Sequence, residues 1–189
     1  DCERGMNGIE FLKTALRDHR IGALTKSSSQ TIERVVDAIP RSCSYLVEYG
    51  PGEGTVTRAI LDRLPRDGRL VAIERNATLF SALQGLHDQR LSVVHGDVLE
   101  IVHRLRELPL PRIDAVVSCV PCTLLQPHER EHLVRETHRA LTPGGVFIVY
   151  QYSPLMYRLL RKYFDNVRFS FAPLNFPPYF VMTAVKRGE

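Results

Sequence analysis

The sequence predicts an α/β fold: a doubly wound, mostly parallel sheet preceded by N-terminal helices. Three observations predict it. From Tyr45 onward, apolar runs of strand length alternate with stretches that repeat apolar residues at helical spacing. The first run ends in a glycine-rich bend. The last two runs are joined by a proline-rich turn, which suits an antiparallel hairpin better than another crossover.

The elements follow in order. Tyr45–Tyr49 is a strand halted by Gly50-Pro51-Gly52, and Thr55–Leu64 places Val56, Ile60, Leu61 and Leu64 on one helical face. Leu70–Ile73 is the second strand, closed by Glu74, and Ala77–Leu86 is the next helix. Leu91–Val94 is the third strand, and Val98–Leu108 reads as one helix through Ile101, Val102 and Leu105. Ile113–Val117 is apolar almost throughout, as a strand buried on both faces should be. A charged helix runs from Pro127 to about Leu141, stopped by Thr142-Pro143-Gly144-Gly145 before the strand Val146–Tyr150. A helix over Pro154–Tyr163 leads to Val167–Phe171, a turn over Pro173–Pro178 and the strand Tyr179–Val185. Five strand–helix units and a hairpin make seven strands. Right-handed crossovers then put the ligand site at the carboxyl ends of the strands. The Leu155–Lys162 helix and Phe169, Phe171, Phe176 and Phe180 read mostly as core.

Ahead of the sheet, Phe11, Leu12, Ala15 and Leu16 mark an amphipathic helix over Ile9–Arg20, beside Lys13, Arg17 and Arg20. A Ser27–Ser29 cluster precedes a second helix from about Gln30 to Ile39. Residues 1–40 thus form a helical segment and 41–189 the sheet domain. Asp1–Gly5 reads as a vector remnant or truncated start, with Met6 a candidate initiator. With 189 residues, one sheet domain accounts for the length. The net charge of +4 is too weak a bias to point to nucleic acid, though it suits an anionic surface. No run resembles a secretory signal or membrane span, so a reduced cytoplasmic setting is expected for Cys2, Cys43, Cys119 and Cys122. Cys119 and Cys122 form a lone C-x-x-C with no second Cys or His pair at finger-like spacing. They read as small buried residues at a strand end, and no metal site is expected.

The chemistry concentrates at Glu48-Tyr49-Gly50-Pro51-Gly52-Glu53-Gly54. A dinucleotide fingerprint would need its third glycine at position 55, where Thr55 stands, and no Walker-type Gly-Lys-Ser/Thr is present. A carboxylate inside an apolar strand is costly without a partner, and a ligand with a cationic amino group beside the bend would offset that cost. Glu74, at the tip of the second strand, can accept both hydroxyls of a ribose. Asp97, in His95-Gly96-Asp97-Val98, has two readings: its carboxylate or the Val98 amide meets an adenine edge, or it caps the next helix.

Together these residues resemble the class I S-adenosylmethionine (SAM)-dependent methyltransferase pattern, E/D-x-G-x-G-x-G followed by two further acids, over Tyr45–Val185. The resemblance implies a Rossmann-like seven-stranded sheet with a reversed last strand. It implies SAM as cofactor, held by Ser27, Ser28, Glu48, Tyr49, Gly50, Gly52, Gly54, Glu74, Arg75, Gly96, Asp97, Val98 and Ser118. A narrower set is similar to bacterial phospholipid N-methyltransferases: Arg17–Ala23 with Ser27-Ser28, Ala72–Asn76, Val117–Pro121, and Asn175-Phe176-Pro177-Pro178. That likeness implies methylation of the amino headgroup of phosphatidylethanolamine, and an N-terminal helix on a phospholipid membrane surface at the inner face. The same helix reads equally as a lid on the sheet. Lys26 and Cys119 depart from the Pro and Gly usual in that family.

Ribosomal RNA adenine dimethylases share the turn and Glu74, but carry Asn-Leu/Ile-Pro-Tyr/Phe after the fourth strand to grip a flipped base. Here that place reads Ser118-Cys119-Val120-Pro121-Cys122, so no nucleic-acid partner is expected. An RNA or small-molecule methyltransferase and a non-catalytic SAM-binding protein are the alternatives. His19 and Glu53 are candidate general bases, and no catalytic residue is assigned.

Overall fold

The computed structural model describes residues 29–172 and 178–188; the expected Ile9–Arg20 helix lies outside them. Seven strands, β1 (Tyr45–Tyr49), β2 (Arg69–Glu74), β3 (Leu91–His95), β4 (Ala115–Ser118), β5 (Val146–Gln151), β6 (Asn166–Ala172) and β7 (Tyr179–Val185), form one sheet in the order β3-β2-β1-β4-β5-β7-β6. β1 pairs in parallel with β2 and β4, β2 with β3, and β4 with β5. β7 runs antiparallel to both β5 and β6, so it is the reversed strand. The chain order reverses at β1 and β4, and their carboxyl ends open the crevice where ligands bind in such sheets.

Side-chain alternation divides the core between two faces. On one, Val47, Tyr49, Ile73, Val116, Phe147 and Val149 pack under α5 (Pro127–Ala140) and α6 (Met156–Tyr163). On the other, Leu46, Leu70, Val117 and Ile148 pack under α1 (Ser29–Asp37) and α2 (Thr55–Arg63). Helix ends follow local chemistry. Asn76 accepts from the backbone N–H groups of Thr78 and Leu79 to start α3 (Ala77–Gln84). Pro127 opens α5, and the Glu129 carboxylate accepts from the Gln126 N–H at 2.7 Å.

Two expectations differ from the structure. The run read as one helix from Val98 to Leu108 is a short α4 (Val98–Ile101) followed by a 3₁₀ segment (Val102–Glu107), broken at Arg104 (φ −116°, ψ 19°). β-Branched residues at 98, 101 and 102 weaken the α-helix, and the tighter turn still buries both Val102 and Leu105. Phe169, Phe171 and Leu155 are not core: each is close to half exposed, at 46%, 45% and 45%. β6 is an edge strand, which periodicity alone does not reveal.

The amino end of the sheet is tied by Asp114. Its Oδ2 accepts from the Ser44 and Tyr45 N–H groups at 2.9 and 3.1 Å, and its Oδ1 from Arg112 Nε at 2.7 Å. The carboxylate thus bridges the bases of β1 and β4. Asp114→Ala leaves two backbone donors without their acceptor and should lower stability by about 2 kcal/mol. Urea denaturation checks this; an unchanged midpoint would remove the clamp from the fold's support.

Candidate functional site

Glu48 is the one charged residue of β1, and it is buried. It points to the α1/α2 face, where Thr57, in the first turn of α2, donates its hydroxyl to Glu48 Oε2 at 2.7 Å. Glu48 Oε1 is buried and has no partner among the described residues. Burial pushes this carboxyl up from 4.5 to about 7; the Thr57 hydroxyl pulls it down, and the Glu74 carboxylate adds to the rise. A group held in this way favours any ligand that brings a buried positive charge.

The bend after β1 shapes the space beside it. Gly50 and Gly52 adopt φ +66° and +58°, a region side chains disfavour, and a Cβ on Gly52 would meet nothing within 4 Å. The turn is fastened to β2, since Gly50 donates to the Ile73 carbonyl at 3.0 Å and Gly52 to Glu74 Oε2 at 3.1 Å. Glu74 Oε1 accepts from the Asn76 N–H at 2.8 Å. Each Glu74 oxygen therefore keeps a lone pair for a further donor. Gly54 caps α2, and a Cβ there would lie 2.7 Å from Leu83 Cδ2.

The third acid stands at the next strand tip. Asp97 caps α4 by accepting from the Leu99 N–H at 2.9 Å, and its other oxygen faces Arg75 Nη1 at 3.6 Å. Gly96 donates to the Glu74 carbonyl at 3.1 Å, which holds the β3 tip against β2. Val98 is buried beneath. Ser118, at the end of β4, is buried and accepts from the Val120 N–H at 3.3 Å. The fold thus brings Glu48, the glycines, Glu74, Gly96, Asp97 and Ser118 to one rim. The Tyr49 ring points away from the Glu48 face and into the core: it packs edge-on to Phe147, and its hydroxyl meets Thr137 Oγ1 at 3.1 Å. Only the Tyr49 backbone reaches the rim, where its carbonyl accepts from the Cys119 N–H. Ser27, Ser28 and His19 lie outside the described residues.

Sequence reasoning missed several groups. Thr57 left a faint signal, a polar residue beside Val56 on an otherwise apolar helix face. Asn76 is both the cap of α3 and the second donor to Glu74. Cys119, Tyr150 and Tyr179 gather on the Glu48 side of the sheet near the tips of β4 and β5. Cys119 and Tyr150 influence one another's ionisation, and the rings of Tyr150 and Tyr179 lie 6.3 Å apart. In the sequence Cys119 stands out only as half of the C-x-x-C and as a departure from Gly, and nothing in the spacing of the two tyrosines marks them. Burial pushes Cys119 up to about 11 and Cys122 up to about 12, so both stay thiols at neutral pH and are poor nucleophiles and metal ligands.

These residues fit SAM: the unpartnered Glu48 oxygen suits its ammonium group, and the open bend admits its chain. The sign of the pH effect follows from the raised carboxyl. The folded state holds a proton on Glu48 that the unfolded chain releases, so stability is lost as pH rises from 4.5 to about 7, by about 3 kcal/mol at most. Glu48→Gln should flatten the fall in melting temperature between pH 5 and pH 8, yet gain less from added SAM. A variant as pH-dependent as the native protein would oppose this.

Residues 46–145 match the family model described as "Methyltransferase domain". The chain is 32% identical over 162 residues to ornithine lipid N-methyltransferase of Singulisphaera acidiphila, covering 84% of each. Among solved structures it resembles an O-methyltransferase from Bacillus cereus in complex with SAH, with a TM-score of 0.71 and 15% identity over 94% of this chain and 90% of that one. It also resembles the N-methyltransferase NodS from Bradyrhizobium japonicum in complex with S-adenosyl-L-homocysteine (SAH), with a TM-score of 0.69 and 12% identity over 94% and 97%. At these identities the structures speak for the fold alone. The family match and the lipid-methyltransferase relative, taken with the acid-lined rim, show that the chain belongs to the class I SAM-dependent methyltransferases.

Proposed function

We propose that the chain transfers methyl groups from SAM to the amino nitrogen of a membrane aminolipid. Phosphatidylethanolamine is the first candidate acceptor, and the amine of an ornithine lipid is the second. The observation that carries this reading is the likeness to ornithine lipid N-methyltransferase over 84% of each chain. That match, at 162 residues, is longer than the 46–145 stretch of the methyltransferase domain. The acceptor side of the rim agrees: at the β4 tip it offers Ser118 and Cys119, with neither the amide nor the ring that would grip a nucleobase.

In this reading Glu48 holds the cofactor's ammonium and Glu74 the two ribose hydroxyls. Asp97 and the Val98 backbone meet the adenine edge, with Arg75 steadying Asp97. The Gly50–Gly54 bend lets the backbone approach, Ser118 and the Tyr49 carbonyl fix the β4 tip, and Ser27 and Ser28 complete the cofactor-binding set. Bound SAM supplies a methyl on a sulfonium sulfur, open to in-line displacement by a free amine. The protein's share is alignment and exclusion of water. An acceptor ammonium with a pKa of roughly 10 must first lose a proton. Glu53 is exposed and His19 lies outside the described residues, so neither is assigned as the base. Of the segment 1–40, α1 belongs to the sheet domain, and the residues before it would act as a lid or membrane contact. Among the described residues no helix is long and apolar enough to cross a membrane, which suits attachment at the inner face by surface contact.

Vesicles containing phosphatidylethanolamine or ornithine lipid, incubated with labelled SAM, should yield labelled lipid. Label passing only to ribosomal RNA or to soluble amines, or tight SAM binding with no turnover, would overturn the reading. Glu74→Ala should raise the KM for SAM roughly tenfold or more through loss of charge-assisted hydrogen bonds, with the acceptor KM little changed.

A further inference from the structure

A folded chain exposes single apolar residues as a matter of course. Here two of the exposed large ones share one strand. Among the described residues the exposed large ones are Leu124, Leu155, Phe169 and Phe171. Leu124 follows β4, Leu155 follows β5, and both phenylalanines stand on the edge strand β6. β6 runs in the same direction as β5, so its carboxyl end reaches the same rim as Glu48 and Ser118.

The rings are contiguous. Tyr157 of α6 meets Phe169 edge-on at 5.7 Å, Phe169 lies 5.1 Å from Phe180, and Phe171 lies 5.3 Å from Phe180. Phe180 pairs with Gln151 at the carboxyl tip of β5, so the ladder ends beside the acceptor side of the rim. Exposed Arg161 stands next to it on α6, and exposed Arg158 lies less than one turn before Arg161. Arg161 lies over the Tyr157 ring at 5.9 Å, and neither arginine forms an ion pair among the described residues. An edge strand bearing bare phenylalanines invites association in water, so a cover is needed. α1 is not that cover: Arg34 reaches β6 through Ser170, at 3.1 Å, and Ser170 faces the opposite side from Phe169 and Phe171.

We infer that the Phe169–Phe180–Phe171 ladder and Leu155, flanked by Arg158 and Arg161, form the face that rests on an anionic membrane interface. Aromatic rings settle at the headgroup level, and arginines pair with anionic headgroups. Contact through this face sets lipid headgroups beside the tips of β4 and β5, so an aminolipid presents its amine while its acyl chains stay in the leaflet. The inference rests on the aminolipid reading for its purpose, and on the exposed ladder for its location.

The sequence contains no Trp, so Phe171→Trp supplies a single fluorophore at the ladder. With vesicles of phosphatidylethanolamine and phosphatidylglycerol, its emission should shift to the blue and be quenched by brominated acyl chains. Pure phosphatidylcholine vesicles should do so weakly. Arg66→Trp, exposed before β2 at the far end of the sheet, should show neither effect. The double variant Phe169→Ser, Phe171→Ser should lose vesicle affinity roughly tenfold or more while keeping its melting temperature and its turnover on detergent-dispersed acceptor. An unquenched reporter, or unchanged vesicle affinity in the double variant, would overturn the inference. So would a dimer of the native protein that the double variant dissolves, since a second copy would then cover the ladder. Vesicle binding is read without SAM, so docking without lipid methylation would sink the aminolipid reading and leave this surface standing.

Discussion

The site depends on a single unfavourable act: the burial of the Glu48 carboxyl in the middle of an apolar sheet. One of its oxygens is satisfied by Thr57, and the other has no partner among the described residues. Burial of a charge with half its hydrogen bonds made disfavours that charge, and the carboxyl responds by holding its proton to about pH 7. A cationic ligand reverses the balance, because it supplies the missing partner and a compensating charge together. The same act that weakens the empty fold therefore creates selectivity for SAM's ammonium end. Stability is given up where function needs it.

The rest of the rim works because it is already satisfied. Glu74 is held by the N–H groups of Gly52 and Asn76, and Asp97 by Leu99. Such fixed carboxylates present spare lone pairs without reorganising when a ligand arrives. The sheet places them side by side through the parallel registers Tyr49↔Ile73 and Glu74↔His95, which align the tips of β1, β2 and β3. Asp114 secures the opposite end of β1 and β4, so the two strands that flank the crevice are pinned at their base.

Much of this was legible in the sequence wherever a residue breaks its local pattern. Glu48 interrupts an apolar strand, three glycines crowd one bend, and acids stand at successive strand ends; each is a local departure with a physical cause. What could not be read depends on neighbours distant in the chain. Thr57 matters only because α2 packs its first turn over Glu48. Tyr49 follows the acid in sequence, yet strand alternation turns its ring to the opposite face, against Phe147 and Thr137. Phe169 and Phe171 alternate as buried strand residues do, and only the position of β6 at the sheet edge leaves them bare. The Val98–Leu108 run has helical periodicity, but its β-branched start favours a tighter winding that periodicity does not register.

The central claim is that the Glu48 carboxyl waits for a cation. Its ionisation can be followed directly by carbon chemical shift in protein labelled at glutamate side chains, with Glu48→Gln used to assign the signal. The expected result is a midpoint near 7 in the free protein that falls to 4.5 or below with SAH bound. A midpoint in the ordinary carboxylate range without ligand, or one that SAH leaves unmoved, would contradict the claim.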